Sequence, residues 1–262
     1  MGESMEQLAA LRRSIARIER RTPAEAATWA ATGHEAIDRQ LGGGLARGRL
    51  HEIFAAGPGD ASSAAGFAAM LAVRLGGALV WLRTEEAEAE GGGLHAPGLG
   101  EIGIDPGRLL LGVLPDPLTL LRAAAEVVRC PEVGVAVIEL WRSPRPLDLT
   151  ASRRLAVAAE ASGVTALLLR VAADPVPSAA QTRWAVRSIA SNPLEAGAPG
   201  HPALDVELLR QRGGPAGRRW QVEWNRDRAS FHESGPDEAA LPGAVVSAAA
   251  GRSAGAGRRR AG

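Results

Sequence analysis

A short apolar strand, a glycine-containing loop and an apolar helix follow one another after residue 50, and this order constrains the fold more than any other part of the sequence. The strand runs from Leu50 to Phe54, the loop begins at Gly57, and residues 67 to 75 have helical spacing. Strand, loop and helix in this order form a P-loop, in which backbone N–H groups cradle nucleotide phosphates. The sequence therefore predicts a P-loop architecture at this position.

The chemistry of a working P-loop is missing from this segment. A P-loop that starts at Gly57 needs Gly, Lys and Ser or Thr at positions 62 to 64, but the chain has Ser62, Ser63 and Ala64. The sequence contains no lysine at all, because its 30 basic residues are all arginine. No ammonium group can therefore reach a phosphate, and no hydroxyl takes the Mg²⁺ position. Arginine is a poor substitute, because its planar fork does not fit where a compact point charge is needed.

These losses predict a degenerate P-loop, with Gly57, Gly59, Ser62 and Ser63 in the place of the phosphate-binding residues. We expect that the loop does not function, that the chain needs neither ATP nor Mg²⁺ as a cofactor, and that it is not an enzyme. A genome that avoids lysine codons is the alternative explanation. Such a bias rarely removes a catalytic lysine, so a real loss of nucleotide hydrolysis is the favoured interpretation.

Composition limits the classes of function that remain. At 262 residues the chain has room for one large α/β domain or two small ones. The net charge of +1 gives no global field that would attract nucleic acid. One cysteine excludes an intramolecular disulfide and fits a reducing compartment. The histidines lack metal-ligand spacing, and we find no signal peptide and no apolar run of membrane-spanning length. We expect a cytoplasmic protein with no metal and no membrane partner.

The first of three predicted regions, residues 1–24, contains an amphipathic helix. Leu8, Leu11, Ile15 and Ile18 lie on one side of it, and arginine and glutamate residues lie between them. This spacing gives a narrow apolar seam, as in one strand of a coiled coil. About two heptads are too few to be stable alone. The seam must therefore dock on the core of the same chain or on a partner, and we take its four residues as candidate partner-binding residues.

Residues 25–232 form the predicted core, in which strands alternate with helices. Predicted strands cover residues 50–54, 77–82, 108–113, 133–139 and 164–171, and predicted helices cover residues 37–41, 67–75, 118–129 and 149–162. Residues 85–93 are acidic and then glycine-rich, which predicts a mobile surface loop. Alternating strands and helices predict an α/β fold with a mainly parallel sheet.

The end of the core and the tail differ from this pattern. Residues 204–212 and 219–225 alternate apolar and polar side chains around a glycine-rich loop, which predicts an antiparallel hairpin at one edge of the sheet. Residues 233–262 are rich in Pro, Gly, Ala, Ser and Arg, and we expect them to be disordered. The cluster Arg258 to Arg260 either makes weak, salt-sensitive DNA contacts or is simply solvated.

Two glutamates follow strands at positions where an ATPase uses acids. Glu139 ends the apolar run 133–139, where a P-loop ATPase places the acid for Mg²⁺. Glu85 follows the strand 77–82, where a carboxylate can orient the attacking water. The alternative for Glu139 is a solvated or arginine-paired acid, and the alternative for Glu85 is one member of a solvated acidic loop.

A third candidate is the segment 175–187, which follows a predicted buried strand. It contains Arg183, Trp184 and Arg187 after two prolines. Tryptophan and arginine are the residues most enriched at interface hot spots. The segment is therefore a candidate partner-binding loop. The alternative is that Trp184 covers the core while both arginines are solvated.

Four segments in order resemble known proteins. Residues 37–45 and 48–53 resemble the approach to the P-loop in the RecA/RadA recombinase superfamily. Together with residues 178–186 and 220–224 they resemble the ImuA family more closely. Proteins of that family are RecA-like accessory factors of the bacterial damage-inducible mutagenesis cassette. The resemblance covers roughly residues 5–232.

This resemblance implies a RecA-like fold with little or no catalysis. It implies a role in SOS-induced translesion DNA synthesis with two partners, which are ImuB, a polymerase-like scaffold, and the alpha subunit of an error-prone DNA polymerase. RecA is a further candidate partner. By position, Glu139 matches the Walker B acid and Glu85 the catalytic glutamate of RecA. In RecA the N-terminal helix packs on the adjacent protomer, so the seam at Leu8 to Ile18 is expected to do likewise or to bind ImuB. A RecA-family ATPase with a divergent P-loop and an arginine-dependent DNA-binding module are the alternatives.

Overall fold

Apolar segments of the chain form the middle of a large mixed sheet in the computed structural model, which describes residues 28–194, 198 and 200–234. Within these ranges nine strands pair in the order β11-β10-β9-β8-β3-β7-β6-β4-β5. The six strands β8, β3, β7, β6, β4 and β5 are parallel to one another, whereas β9, β10 and β11 are antiparallel additions beside β8. A separate short ribbon is formed by β1 and β2. The strands are β1 (Trp29–Ala30), β2 (Leu45–Ala46), β3 (Leu50–Ala55), β4 (Ala78–Thr84), β5 (Leu109–Leu114), β6 (Val133–Trp141), β7 (Thr165–Val171), β8 (Thr182–Ser188), β9 (Ala203–Gln211), β10 (Arg218–Asn225) and β11 (Ser230–Glu233).

Helices cover both faces of the sheet, as the parallel connections require. The helix α2 packs against one face, where its Phe67 meets Trp184 and Phe231. On the other face α5 and α6 pack over Leu82 and Ile138. The helices are α1 (Glu35–Leu41), α2 (Ala61–Leu75), α3 (Glu85–Gly91), α4 (Ala96–Glu101), α5 (Pro117–Arg129) and α6 (Leu149–Ser162). No described helix combines the length and apolar character needed to cross a bilayer.

Local sequence determines where several of these helices begin and end. Asp116 and Asp148 cap the N-termini of α5 and α6, because their carboxylates accept hydrogen bonds from backbone N–H groups of the first turn. Gly42 ends α1 in the left-handed conformation. Gly44 has a φ of 125°, and a Cβ atom there would lie 2.3 Å from the carbonyl oxygen of Ala30. The glycine run therefore allows the ribbon to form close to α1.

The α/β fold with a mainly parallel sheet and an antiparallel hairpin at one edge is confirmed. The hairpin is β9–β10, and the same edge also gains β11. The residues of the N-terminal seam, Leu8, Leu11, Ile15 and Ile18, lie outside the described residues, as does nearly all of the tail 233–262.

The prediction of a mobile loop over residues 85–93 is wrong, because α3 forms there. The side chain of Thr84 accepts a hydrogen bond from the backbone N–H of Ala87 at 3.1 Å and so caps the helix. Three glutamates in the first turn interact favourably with the positive end of the helix dipole. The acidic composition that indicated a solvated loop is therefore suited to a helix N-terminus.

Candidate functional site

The degenerate P-loop joins β3 to α2 but is not shaped as a phosphate cradle. Residues Pro58–Asp60 form a short 3₁₀ helix, and Gly57 before them has an extended backbone. The side chain of Asp60 is buried, and its Oδ1 accepts hydrogen bonds from the backbone N–H of Ser188 at 2.9 Å and from the Ser188 hydroxyl at 3.0 Å. A fixed carboxylate therefore lies in the loop that would have to surround a phosphate. Its charge repels such an anion.

Ser62 and Ser63 lie in the first turn of α2, directly after this loop. The side chain of Ser62 is exposed and that of Ser63 is half-buried. Both residues line the same cleft as Glu139. The structure thus brings together three of the residues that were selected from the sequence. None of them supplies a positive charge.

Glu139, at the Walker B position, is held by three neighbours inside the protein. Its Oε1 accepts hydrogen bonds from Arg83 Nη2 at 3.0 Å and from the Trp141 indole at 2.9 Å, and its Oε2 accepts one from the Trp81 indole at 3.0 Å. Glu139 is only 3% exposed. The structure thus shows the alternative, an acid paired with an arginine, and the three donors occupy most of the acceptor positions that a metal ion would use.

The guanidinium group of Arg83 is likewise bound by groups inside the protein. It forms ion pairs with Glu139 and with Glu88, and it donates to the carbonyl oxygens of Ala87 and Gly92. These contacts tie β4 and β6 to α3. Arg83 is therefore not a free cation that would replace the missing lysine.

Glu85 occupies the first position of α3, where its side chain is exposed. Two other glutamates of α3, Glu86 and Glu90, form ion pairs with Arg142, which directly follows β6. These pairs fix α3 to the end of β6. Glu85 does not line the cleft that contains Ser62, Ser63 and Glu139. The two candidate acids are thus not brought together in one cavity.

The prediction of a partner-binding loop at residues 183 and 184 is wrong, because these residues belong to β8. Trp184 is 1% exposed, packs against Phe67, and donates its indole N–H to Thr182 at 2.8 Å. Arg183 is also buried and pairs with Glu52 at 2.8 Å. Neither side chain is available at the surface. Arg187, at the end of the strand, is exposed as expected.

Sequence reasoning missed the residues that hold this site together. The predicted strands 77–82 and 133–139 include Trp81 but end before Arg83 and Trp141, and Asp60 lies in the predicted loop with no role assigned to it. An arginine inside an otherwise apolar strand was a usable signal, because a buried charge needs a partner. The partner was not visible, since the pairing of Arg83 with Glu139 depends on the register between β4 and β6.

A cleft of about 630 Å³ lies next to the degenerate loop. The first half of α2 forms one wall, residues 91–102 form a second, and residues 200–204 form a third. Trp81, Glu139 and Trp141 lie along its base. No cluster of three potential metal ligands occurs in the parts of the chain that the structure describes.

The architecture places the chain in a known class of fold. The crystal structure of the RadB recombinase superposes with a TM-score of 0.54 at 15% identity, over 78% of this chain and 99% of that one. The chain thus has the RecA-like fold, with a P-loop position that lacks lysine.

Sequence comparison identifies the family within this class. ImuA proteins from two strains of Caulobacter vibrioides, NA1000 / CB15N and ATCC 19089 / CIP 103742 / CB 15, are each 34% identical over 194 residues. The matched region covers 67% of this chain and 75% of each relative. The chain belongs to the ImuA family. No protein-family model matches it.

Proposed function

We propose that the protein is a non-catalytic RecA-like accessory protein in SOS-induced mutagenic translesion DNA synthesis. Its membership of the ImuA family and its RecA-like fold support this role. In this proposal it is a cytoplasmic adaptor, associated with the nucleoid when induced, that binds an ImuB-type polymerase-like protein. Through that partner it joins an error-prone DNA polymerase alpha subunit, and it also contacts RecA.

The observation that best supports a non-catalytic role is the internal use of the groups that an ATPase would need. Glu139 is bound by Arg83 and two indoles, and Asp60 places a carboxylate in the P-loop. With no lysine in the sequence, a triphosphate would meet negative charge and no free ammonium group. We therefore propose that binding of partners, rather than nucleotide turnover, is the function that this fold retains.

The proposed partner-binding surface includes the N-terminal seam and the exposed Arg187. Changing Leu11 and Ile15 to Asp removes two apolar side chains from the seam and should abolish capture of purified ImuB-type partner. Changing Arg12 and Arg13 to Asp alters the charged side of the same segment and is the matched control. Equal capture by wild type and the L11D/I15D variant would refute the assignment of the seam.

A weak contact with DNA is a second candidate, favoured by the cluster Arg258 to Arg260. Such a contact depends on released counterions and therefore falls steeply with salt. Removing residues 235–262 should reduce DNA affinity only slightly if the protein is an adaptor. A sharp loss of affinity would instead favour an arginine-dependent DNA-binding module.

A further inference from the structure

The cleft beside the degenerate loop has the character of a binding site for an apolar, uncharged segment. Its walls present Met70, Leu94, Leu99, Ile102 and Ile189 beside the ring of Trp141. Clefts of this size and composition bury most of the surface of a bound group. The cleft lies on the face of the sheet that α2 covers, near the carboxyl ends of β4 and β6.

The charged groups of the cleft are already neutralised from within the protein. Arg83 and Glu139 are the charged lining residues, apart from two histidines, and they pair with each other at 3.0 Å. Arg83 is further engaged by Glu88 and two carbonyl oxygens. Among the described lining residues, an anionic occupant would find no cation besides the paired Arg83 and the two histidines, whereas burial of apolar side chains is favourable.

The described chain ends beside this cleft. At Ser234 the backbone N–H donates to Gln221, and the hydroxyl donates to Glu223 at 3.0 Å. Glu223 is the register partner of Ala203, which lines the cleft. The ring of His232 lies 6.1 Å from that of His201, another lining residue. Ser234, the last described residue, therefore lies near the rim of the cleft.

The following 28 residues contain one short apolar segment. Leu241, Val245 and Val246 are their only large apolar side chains, and the remainder is Ala, Gly, Pro, Ser, Arg and two acids. Leu241 is seven positions after Ser234, and an extended chain of that length spans up to about 23 Å. The segment 241–246 is thus within reach of the whole cleft.

We propose that residues 241–246 bind in the cleft of the same molecule as an internal ligand. A tether this short gives a millimolar effective concentration, so three apolar side chains are sufficient for substantial occupancy. Any external protein that uses the cleft must then displace this segment first. The test below uses no partner protein, so its result is independent of the proposed function.

The proposal is tested by disulfide formation in the full chain, with Cys130 changed to Ser. The two cysteines are introduced by S62C and S247C. Ser62 is exposed at the cleft, and Ser247 directly follows the apolar segment in sequence. The control pairs S247C with V157C, since Val157 is exposed on α6 across the sheet. We expect the Ser62 pair to close as a monomer at least ~10-fold faster than the control pair, because of its higher effective concentration.

Adding V245D and V246D should reduce closure at Ser62 to the rate of the control, because two carboxylates oppose entry into an apolar cleft. Ser62 is exposed on α2, and residues 245–247 follow the last described strand in sequence, so urea unfolding of the core should be unchanged. Equal rates for the two pairs, disulfide-linked dimers in place of closed monomers, or closure that persists with both aspartates would each overturn the proposal.

Discussion

Arg83 and Glu139 form an ion pair inside the protein. Their side chains are 3% and 4% exposed, so each charge is almost fully withdrawn from water. Burial of a charge is tolerated only when it is paired and hydrogen-bonded, and the two tryptophan indoles complete the shell of the carboxylate. Glu139 is thus part of the core.

We predict that Glu139→Gln destabilises the fold by about 3 kcal/mol, because Arg83 would lose a buried counter-charge. The matched control is Glu85→Gln, which removes the same charge from an exposed position and should change the free energy of unfolding by less than about 0.5 kcal/mol. Urea unfolding followed by tryptophan fluorescence measures both. Similar losses in the two variants would argue against a structural role for Glu139.

His51 is a second buried polar residue with a defined role. Its Nε2 lies 2.8 Å from the carbonyl oxygen of Ala46 and its Nδ1 lies 2.7 Å from the Thr182 hydroxyl. These partners assign the proton to Nε2 and the acceptor role to Nδ1. Burial lowers the pKa of His51 from 6.5 to about 4, because the charged ring would lose its hydration.

This shift predicts a pH dependence of stability. Below pH 6.5 the unfolded chain binds a proton at His51, whereas the folded protein binds one there only below about pH 4. The free energy of unfolding therefore decreases as the pH is lowered from 6.5 to about 4. From pH 7.5 to pH 5 wild type should lose about 2 kcal/mol more than His51→Gln, which cannot titrate. Urea unfolding at the two pH values measures this difference. The contribution of His34 to the pH dependence cancels, because both proteins contain His34. Equal losses would show that His51 is charged in the fold.

At the level of elements, the two edges of the sheet differ. β11 is a short edge strand of four residues that includes His232 and Glu233. β5, at the other edge of the described sheet, contains no charged residue and exposes Leu110, Leu111 and Val113. Short or charged edges resist pairing with other chains, whereas an uncharged apolar edge favours it.

We therefore predict that Leu110→Lys lowers concentration-dependent association of the protein. Leu110 and Val157 are both 61% exposed, so Val157→Lys on α6 changes an equally exposed apolar residue away from the edge. Sedimentation velocity over a range of concentrations should show reduced association for L110K alone. If V157K has the same effect, exposed apolar surface rather than the edge is responsible.

The periodicity of apolar residues was sufficient to predict buried helices and strands. It was not sufficient to predict a strand whose polar side chains pair with residues far away in the sequence. Leu149–Ser162 was predicted with the bounds that the structure shows, because Asp148 and Gly163 mark its ends. β8 was read as a loop, since the prolines at 175 and 177 concealed the alternation from Thr182 to Ser188. Its buried Arg183 could be placed only once Glu52, 131 residues earlier in the chain, was known to be its partner.

At the scale of the whole molecule, the order of strands and helices predicted the α/β fold. The segments 37–45, 48–53, 178–186 and 220–224 predicted the RecA-like class and the ImuA family. The cleft was not predictable, because its walls come from residues 61–70, 91–102, 189–191 and 200–204, which meet only through the topology of the sheet. The sequence correctly indicated which groups were missing. It did not indicate that Asp60 accepts hydrogen bonds from Ser188, or that Arg83 and two indoles bind Glu139.

Titration of the purified full chain with ATP and Mg²⁺ tests the central claim most directly, since the claim is that this RecA-like protein acts without nucleotide turnover. We predict no saturable binding up to about 1 mM ATP, the upper end of common Michaelis constants, and no phosphate release that depends on the protein. The variant Glu85→Gln controls for contaminating ATPase, which it would leave unchanged. Saturable, Mg²⁺-dependent phosphate release that disappears in Glu85→Gln would contradict the account.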